Sequence, residues 1–409
     1  MRRPWRRHAW LPGEASQPGF PFRWCLDAPA ADWRHVVPLV EFRGWIAVPA
    51  DASVDGPYLH CGERVRLRTR ERLDIARVMP RERVIGFEQL VSLDPASAAQ
   101  GWALELVVDG VAYTRPLPIA YSEADDQAFH ARKRSKLAAV EPLLRCPRPL
   151  DDATSCLGEL ERSGDEELRC VVCDARYGRR EHAFDLLTGE LRAAAGVDPT
   201  ENVSSWGYDP LADSVIADVD GLVLDNGSGC KNVYLDRVVN LEIVDYPTTD
   251  VLAVGERLPF ADGAFAGALS LAVLEHVRDP FRCAREIARV VRPGGRIYVA
   301  VPFLQPYHGY PHHYFNMTLQ ALEQLFHDTF AIEQAGTPPY GWPIWTLSWF
   351  LNRYVDGLPP DTAARFREMT VSDLLQPPSN VLADDFVQDL EPDAVAELAS
   401  VNYLIATRR

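Results

Sequence analysis

The chain is predicted to be an α/β protein: a parallel sheet with helices on both faces, preceded by an all-β module and a small cysteine-bearing module. Three observations carry this. From Ala212 onward, short apolar runs alternate with amphipathic helical segments, the pattern of a parallel sheet with crossovers. From about Leu39 to Ile119 the residues read instead as strands separated by turns. Between these two stretches, four of the eight cysteines fall close together, from Cys146 to Cys173. At 409 residues, 47% apolar and 24% charged, the composition is that of an ordinary globular chain long enough for two or three cores.

Residues 1–36 are expected to be an N-terminal arm, which opens "MRRPWRRHAW". No apolar stretch of signal-peptide length follows this basic segment, so a cytoplasmic protein is expected. Residues 37–121 form the all-β module, expected to be a β-sandwich. "LVEFRGWIAV", "ERVIGFEQLVSL" and "GWALELVVDGVAYTRPLPI" are rich in β-branched and aromatic residues. Asp109 and Gly110 lie between alternating apolar positions, a pair suited to a two-residue hairpin turn that needs positive φ twice. Residues 122–142, "SEADDQAFHARKRSKLAAVEP", read as a polar helical connector whose KRSK run is expected to be a solvated face.

Residues 143–192 carry Cys146, Cys156, Cys170 and Cys173. Four thiolates can close a tetrahedral zinc site, and the two-residue gap from Cys170 to Cys173 is the usual knuckle spacing. The first pair is separated by nine residues, so two readings stay open: structural zinc, or reduced free thiols.

In residues 193–409, "GLVLD", "VVNLEI", "AGALSLAVL" and "RIYVAVP" read as strands of the parallel sheet. A helix is expected from Pro280, capped by Asp279, through "FRCAREIARVVR", with "PGG" as its stop. "CKNVYLDR" is too short for a full helix and reads as an irregular loop. "WPIWTLSWFLNRY" is too short to span a bilayer and is interrupted by Pro343, so it is expected to cover an acceptor cleft or form a homodimer face. "VNYLIATRR" reads as a last strand.

Chemistry concentrates at strand ends. In "LDNGSG" the first glycine permits a sharp turn after a strand, and the second permits close approach of a ligand to the backbone. Alone, this pattern is as compatible with a tight loop as with a ligand site. Downstream, Glu242 ends the next strand, where a carboxylate can hold two ribose hydroxyls. "GERLPF" brings Glu256, Arg257 and Leu258 toward the same sheet edge, and "LEHVRDP" puts Glu275 and His276 beyond a further strand end. His308, His312 and His313 follow in "PYHGYPHHYFN". An imidazole near its ordinary pKa suits proton transfer at neutral pH; a structural hydrogen-bonding role and a metal site are the other options for these histidines.

Taken in order, "LDNGSG", "LPFADGAF", "LEHVRDP", "RVVRPGG" and "VPFLQPYHGYPHHY" resemble class I S-adenosylmethionine-dependent methyltransferases of the small-molecule, LEH-containing type. The likeness covers about a quarter of the chain and implies a Rossmann-like methyltransferase sheet. It implies that Asp225, Gly227, Gly229, Glu242, Glu256, Arg257 and Leu258 bind S-adenosyl-L-methionine, and that His276, His308 and His313 face the acceptor. The cysteine segment resembles a short zinc ribbon with an insertion in its first knuckle, which implies structural zinc on Cys146, Cys156, Cys170 and Cys173. Two positions depart from the family pattern: Lys231 replaces a third glycine, and Ala266 an aspartate.

The net charge of −16 argues against broad nucleic-acid binding and hence against an RNA methyltransferase. Methylation of an oxygen on a small molecule or saccharide is the leading expectation. A scaffold that has lost catalysis is the alternative suggested by Lys231 and Ala266.

Overall fold

The computed structural model describes residues 20–29, 37–70, 72–92, 101–117, 122–151, 154–164, 166–180, 183–196, 207–309, 311–402 and 405. The basic opening of the N-terminal arm and most of the expected last strand lie outside the described residues; Val401, Asn402 and Ile405 belong to no strand.

The N-terminal strands are β1 (Arg23–Ala28), β2 (Leu39–Pro49), β3 (Val54–His60), β4 (Arg64–Arg66), β5 (Arg68–Arg70), β6 (Glu82–Ser92), β7 (Trp102–Val108) and β8 (Val111–Leu117). They form two four-stranded sheets, ordered β1-β2-β6-β5 and β4-β3-β7-β8. Alternation decides what faces inward: along β7, Trp102, Leu104, Leu106 and Val108 are buried and the residues between them are half-buried. Phe42, Ile46 and Phe87 of one sheet join Leu59, Leu104 and Leu106 of the other in a single core. Each such side chain contributes about 1.5–3 kcal/mol by leaving water. The β7–β8 hairpin turns at Asp109 and Gly110, whose φ values of 51° and 78° are both positive, as the dipeptide requires.

Helix α1 (Glu123–Val140) follows, capped by Ser122, whose side chain accepts from the Asp125 N–H at 3.2 Å. Its KRSK run corrects the expectation of a solvated face. Lys133 and Lys136, one turn apart, are 3% and 5% exposed. The Lys133 ammonium donates to the carbonyls of Pro247 (2.7 Å) and Thr249 (2.6 Å), and that of Lys136 to Val238 O (2.6 Å) and the Asp250 carboxylate (2.9 Å). Asp250 also accepts from the Tyr234 hydroxyl at 2.5 Å and the Asn240 N–H at 2.9 Å. The lysines are buried because backbone carbonyls and one fully buried carboxylate meet them there.

The remaining strands, β9 (Leu160–Arg162), β10 (Glu167–Cys170), β11 (Arg176–Arg179), β12 (Phe184–Asp185), β13 (Val223–Asn226), β14 (Val238–Glu242), β15 (Val251–Leu252), β16 (Phe265–Leu271) and β17 (Val291–Ala300), form one nine-stranded sheet. Its order is β17-β16-β13-β14-β15-β12-β11-β10-β9. The cysteine segment therefore extends the parallel sheet. The join is β12 beside β15, Phe184 opposite Val251 and Asp185 opposite Leu252.

Successive residues of the parallel strands enter different cores, as period two demands. Leu224, Val239 and Ala268 pack with Val140 of α1 and with Ile287 and Val290 of α3 (Pro280–Val290). Val223, Val238 and Leu269 pack with Ala212 and Val215 of α2 (Pro210–Asp218). Helix α3 is capped by Asp279, which accepts from the Arg282 N–H at 2.8 Å. It ends before the expected stop: Val291 is already extended and opposite Phe265, and Pro293, Gly294 and Gly295 bulge where pairing resumes at Gly267 and Arg296. Pairing with β16, together with the β-branched Val290–Val291, ends the helix ahead of "PGG". Residues 230–237 form no helix, as their length predicts.

Strands β13, β14 and β15 step outward in one direction, and the chain then returns to place β16 and β17 on the other side of β13. The carboxyl ends of β13 and β16 are thus a topological switch point, where open α/β sheets leave a crevice. Helices α4 (Leu319–Phe326) and α5 (Pro343–Asp356) follow β17.

Candidate ligand cleft at the switch point

A cleft of about 2210 Å³ opens at this edge, between the turn after β13, the loop after β16 and the segment after β17. Asn226, Gly227, Ser228 and Gly229 line one wall. Gly227 has φ +73°, and a Cβ there would stand 2.5 Å from Val273 Cγ2, so a side chain would both strain the turn and push into the next loop. The Gly227 and Ser228 N–H groups donate to Leu241 O at 2.9 and 3.0 Å, tying the turn to β14.

Glu242 closes this wall. Its carboxylate accepts from the Gly229 N–H at 2.9 Å and from its neighbour Ile243 N–H at 2.8 Å while lining the cleft. Burial raises its pKa, opposed by those two donors. Glu256, also on the cleft, accepts from the Arg278 N–H at 3.1 Å, and burial raises its pKa too.

Three expected cofactor residues are placed differently. Asp225 is 1% exposed and does not line the cleft; its carboxylate accepts from the Tyr208 hydroxyl at 2.8 Å and lies 3.5 Å from the Lys231 ammonium. Arg257 borders the cleft, but its guanidinium turns toward the cysteine segment. It donates to Thr154 O (2.6 Å), Asp151 O (2.7 Å) and Ser155 Oγ (3.0 Å). Leu258 is fully buried in the main core. The reason is local: Gly255–Arg257 is a single 3₁₀ turn, so Glu256, Arg257 and Leu258 leave it in three directions.

The two departures from the family pattern also resolve. Lys231 folds back over the Tyr208 ring, 4.6 Å from its centroid, and leaves the space beside Gly227, Gly229 and Glu242 open. Ala266 sits at the start of β16 in the core beside α2 and does not reach the cleft.

On the opposite wall, three imidazoles cluster. The ring centroids of His276 and His308 are 5.4 Å apart, those of His276 and His313 5.7 Å, and those of His308 and His313 4.4 Å. The His276 Nδ1–H donates to His312 O at 2.6 Å and the His308 Nδ1–H to Pro306 O at 2.8 Å, so both rings keep an Nε2 lone pair. His313 differs: its Nδ1 accepts from the His308 N–H at 2.9 Å and its Nε2–H donates to Asn316 Oδ1 at 3.1 Å. With both nitrogens engaged, and no place on the cleft, His313 supports its neighbours, whereas His312 does line the cleft. Burial pushes His276 down to about 4 and lowers His308 as well, so both are neutral near pH 7. Gly309 makes the cluster feasible: its φ is +103°, and a Cβ would overlap the His276 ring.

Sequence reasoning passed over Glu275 as a ligand candidate. It is fully buried, and neither carboxylate oxygen has a hydrogen-bond partner among the described residues. Its adjacency to His276, read together with the later histidines, was the available signal.

The four thiols also converge. The Cys146 and Cys173 sulfurs are 3.5 Å apart, those of Cys156 and Cys170 3.7 Å, and all four lie within 4.8 Å of one another. Leu157 and Asp174, each just after the second cysteine of its pair, have φ of 52° and 59°, and the Val172 N–H points at the Cys170 sulfur at 3.4 Å. The two turns are thus alike despite the nine residues between Cys146 and Cys156, a stretch that Arg257 holds through Asp151 O, Thr154 O and Ser155 Oγ.

Residues 233–299 match the methyltransferase domain family. A 45-residue segment is 56% identical to an uncharacterized methyltransferase of Mycobacterium sp. (strain JLS), covering 11% of this chain and 18% of that protein. An uncharacterized methyltransferase of Mycolicibacterium gilvum (strain PYR-GCK) is 53% identical over 45 residues, 11% of this chain and 18% of that protein. The match therefore spans under a fifth of these relatives. Among solved structures, the [4+2]-cyclase SpnF is 19% identical with a TM-score of 0.28, over 51% of this chain and 83% of that one. An N-methyltransferase of Haemonchus contortus, solved with phosphomonomethylethanolamine and S-adenosylhomocysteine, is 11% identical with a TM-score of 0.26, over 85% of this chain and 65% of that one. No helix among the described residues is long and apolar enough to cross a membrane.

Proposed function

We propose that the chain is an S-adenosylmethionine-dependent methyltransferase acting on an oxygen of a small-molecule or saccharide acceptor in the cytoplasm. The observation that carries the reading is the glycine turn of Gly227 and Gly229 beside the Glu242 carboxylate, open to a cleft at the switch point of a parallel sheet. The residues suit the cofactor: a Cβ at Gly227 would collide with Val273, itself on the cleft, and Glu242 and Glu256 offer carboxylates for ribose hydroxyls and a cationic ligand. Bound S-adenosylmethionine supplies a sulfonium methyl, a donor that requires orientation and exclusion of water more than activation.

On the acceptor side, His276 and His308 line the cleft, and each keeps an Nε2 lone pair with its Nδ1–H fixed on a backbone carbonyl. Such an atom can receive a hydroxyl proton. Helix α5 leaves Trp345 and Leu347 exposed on the cleft rim, an apolar cover for the acceptor or a face for a second copy of the chain. The paired N-terminal sheets we read as a β-sandwich that presents the acceptor or a partner.

Zinc on Cys146, Cys156, Cys170 and Cys173 completes the reading. Zn–S bonds of about 2.3 Å set tetrahedral sulfurs about 3.8 Å apart, close to the 3.5 and 3.7 Å of the two measured pairs. Such an ion would fix the outer sheet edge.

Isothermal titration with S-adenosylmethionine tests the central reading. Saturable binding that weakens in Glu242→Gln is expected. No heat at high micromolar cofactor would sink it and favour the scaffold alternative. Methyl transfer from labelled cofactor into a cell extract would then identify the acceptor.

A further inference from the structure

We propose that Glu275, His276 and His308 form a second metal site, one that takes a divalent transition ion with a carboxylate and two imidazoles and leaves open positions toward the cleft. The inference rests on the methyltransferase reading only for its use: an ion there would meet the acceptor oxygen and lower its pKa, replacing the proton transfer to Nε2 described above because it would occupy both lone pairs; the site itself stands on geometry alone.

The ligand atoms of the three residues lie within 4.8 Å of one another. Both imidazoles are prepared as ligands, since each Nδ1–H is spent on a backbone carbonyl and each Nε2 lone pair remains; this outer hydrogen bond is what fixes a metal-binding histidine. Glu275 is 0% exposed, and both its oxygens lack a hydrogen-bond partner among the described residues. A buried carboxylate without donors is costly unless a cation or a proton accompanies it.

The nearest polar atom of the cluster, His276 Nε2, is 3.6 Å from Glu275 Oε1. That is too long for a shared hydrogen bond. With bonds of about 2.0–2.2 Å, however, neighbouring ligand atoms of one ion stand roughly 3–3.5 Å apart. The observed gap is thus nearly that of two ligands around one ion. Three protein ligands of mixed nitrogen and oxygen type suit zinc, iron(II), cobalt or manganese and leave room for exogenous oxygen, as in catalytic sites. His276 and His308 line the cleft and Glu275 lies behind them, so the open positions face the acceptor wall. A hydroxyl or carbonyl oxygen bound there would be polarised by the ion.

The test uses the full chain, stripped with chelator and titrated with cobalt(II), with bound metal counted and the visible spectrum recorded. Cobalt on the four cysteines gives an intense thiolate charge-transfer band; cobalt on Glu275, His276 and His308 gives only weak bands. The wild type is expected to take up about one equivalent beyond the thiolate-bound ion. His308→Ala and, separately, Glu275→Gln should lose that equivalent while keeping the thiolate band and the wild-type far-ultraviolet circular dichroism. Uptake of thiolate-bound cobalt alone by the wild type, or a full second equivalent retained by folded His308→Ala, overturns the proposal. If the second equivalent is present and S-adenosylmethionine gives no heat, the metal site stands and the methyltransferase reading falls; the reverse result removes only the metal site.

Discussion

The cysteine cluster and the histidine cluster are built in opposite ways. The four thiols come from one short stretch, Cys146 to Cys173, and two similar turns with positive φ aim them at a common point. Glu275, His276 and His308 come from loops after two neighbouring parallel strands, β16 and β17, and depend on a glycine at 309 and on carbonyls of Pro306 and His312. The first is local chemistry at a sheet edge; the second exists only once the sheet is assembled. Damage to the first should appear as lost stability, and damage to the second as lost binding or turnover.

The largest expected effect tests the first half. Cys170→Ser removes a fully buried thiol of the proposed zinc set, and it should lower unfolding free energy by on the order of 3–5 kcal/mol and abolish sensitivity of the melting temperature to chelator. A melting temperature that ignores both the substitution and the chelator would dissolve the contrast.

Helix α1 is tied to the parallel sheet in part by buried charge, and pH probes that contact. Burial lowers Lys133 to about 8, with Asp250 and Asp245 opposing and Lys136 and Arg179 reinforcing the shift. The unfolded chain then holds more protons between pH 8 and about 10.4, so stability should rise with pH across that window, by up to about 3 kcal/mol, and be flat in this contribution below it. Lys133→Met should remove that slope in denaturant titrations at successive pH values, although it also leaves two carbonyls unsatisfied.

Gly227→Ala sharpens the functional half. Strain at positive φ and the encounter with Val273 should cost about 1–3 kcal/mol, read as a roughly tenfold or greater loss of S-adenosylmethionine affinity with metal uptake by the thiols unchanged. The smallest effect is expected from Asn316→Ala, which removes the acceptor of His313 Nε2–H at one remove from the cleft. About 1 kcal/mol, seen in turnover and absent from cofactor binding, fits a supporting role; an equal loss of cofactor affinity would mean that the two walls of the cleft are coupled.

Much of the sheet was legible because its signals are local. Apolar runs marked β13, β14 and β16, Asp279 and Pro280 marked the start of α3, and Asp109-Gly110 marked a hairpin. What escaped depends on distant partners or very short elements. Lys133 and Lys136 look like a surface run until Asp250, 114 residues from Lys136, is folded against them. The β12 and β15 pairing involves two residues on each side and shows no periodicity, so continuity of the cysteine segment with the main sheet was invisible. At the candidate site, a single 3₁₀ turn scattered Glu256, Arg257 and Leu258, and adjacent His312 and His313 exchanged the places expected of them. Direction within a loop is decided by which carbonyl or donor is near, and spacing carries little of that information.

The β12 and β15 pairing also bears on solubility. Val251 and Leu252 occupy an otherwise open border of a parallel sheet, and the cysteine meander closes it. If the meander peeled away, the bared backbone of β15 would be a template for strands of other molecules. A metal bound at the rim, as proposed, would then act as a guard against polymerisation, and its removal would be noticed first as aggregates.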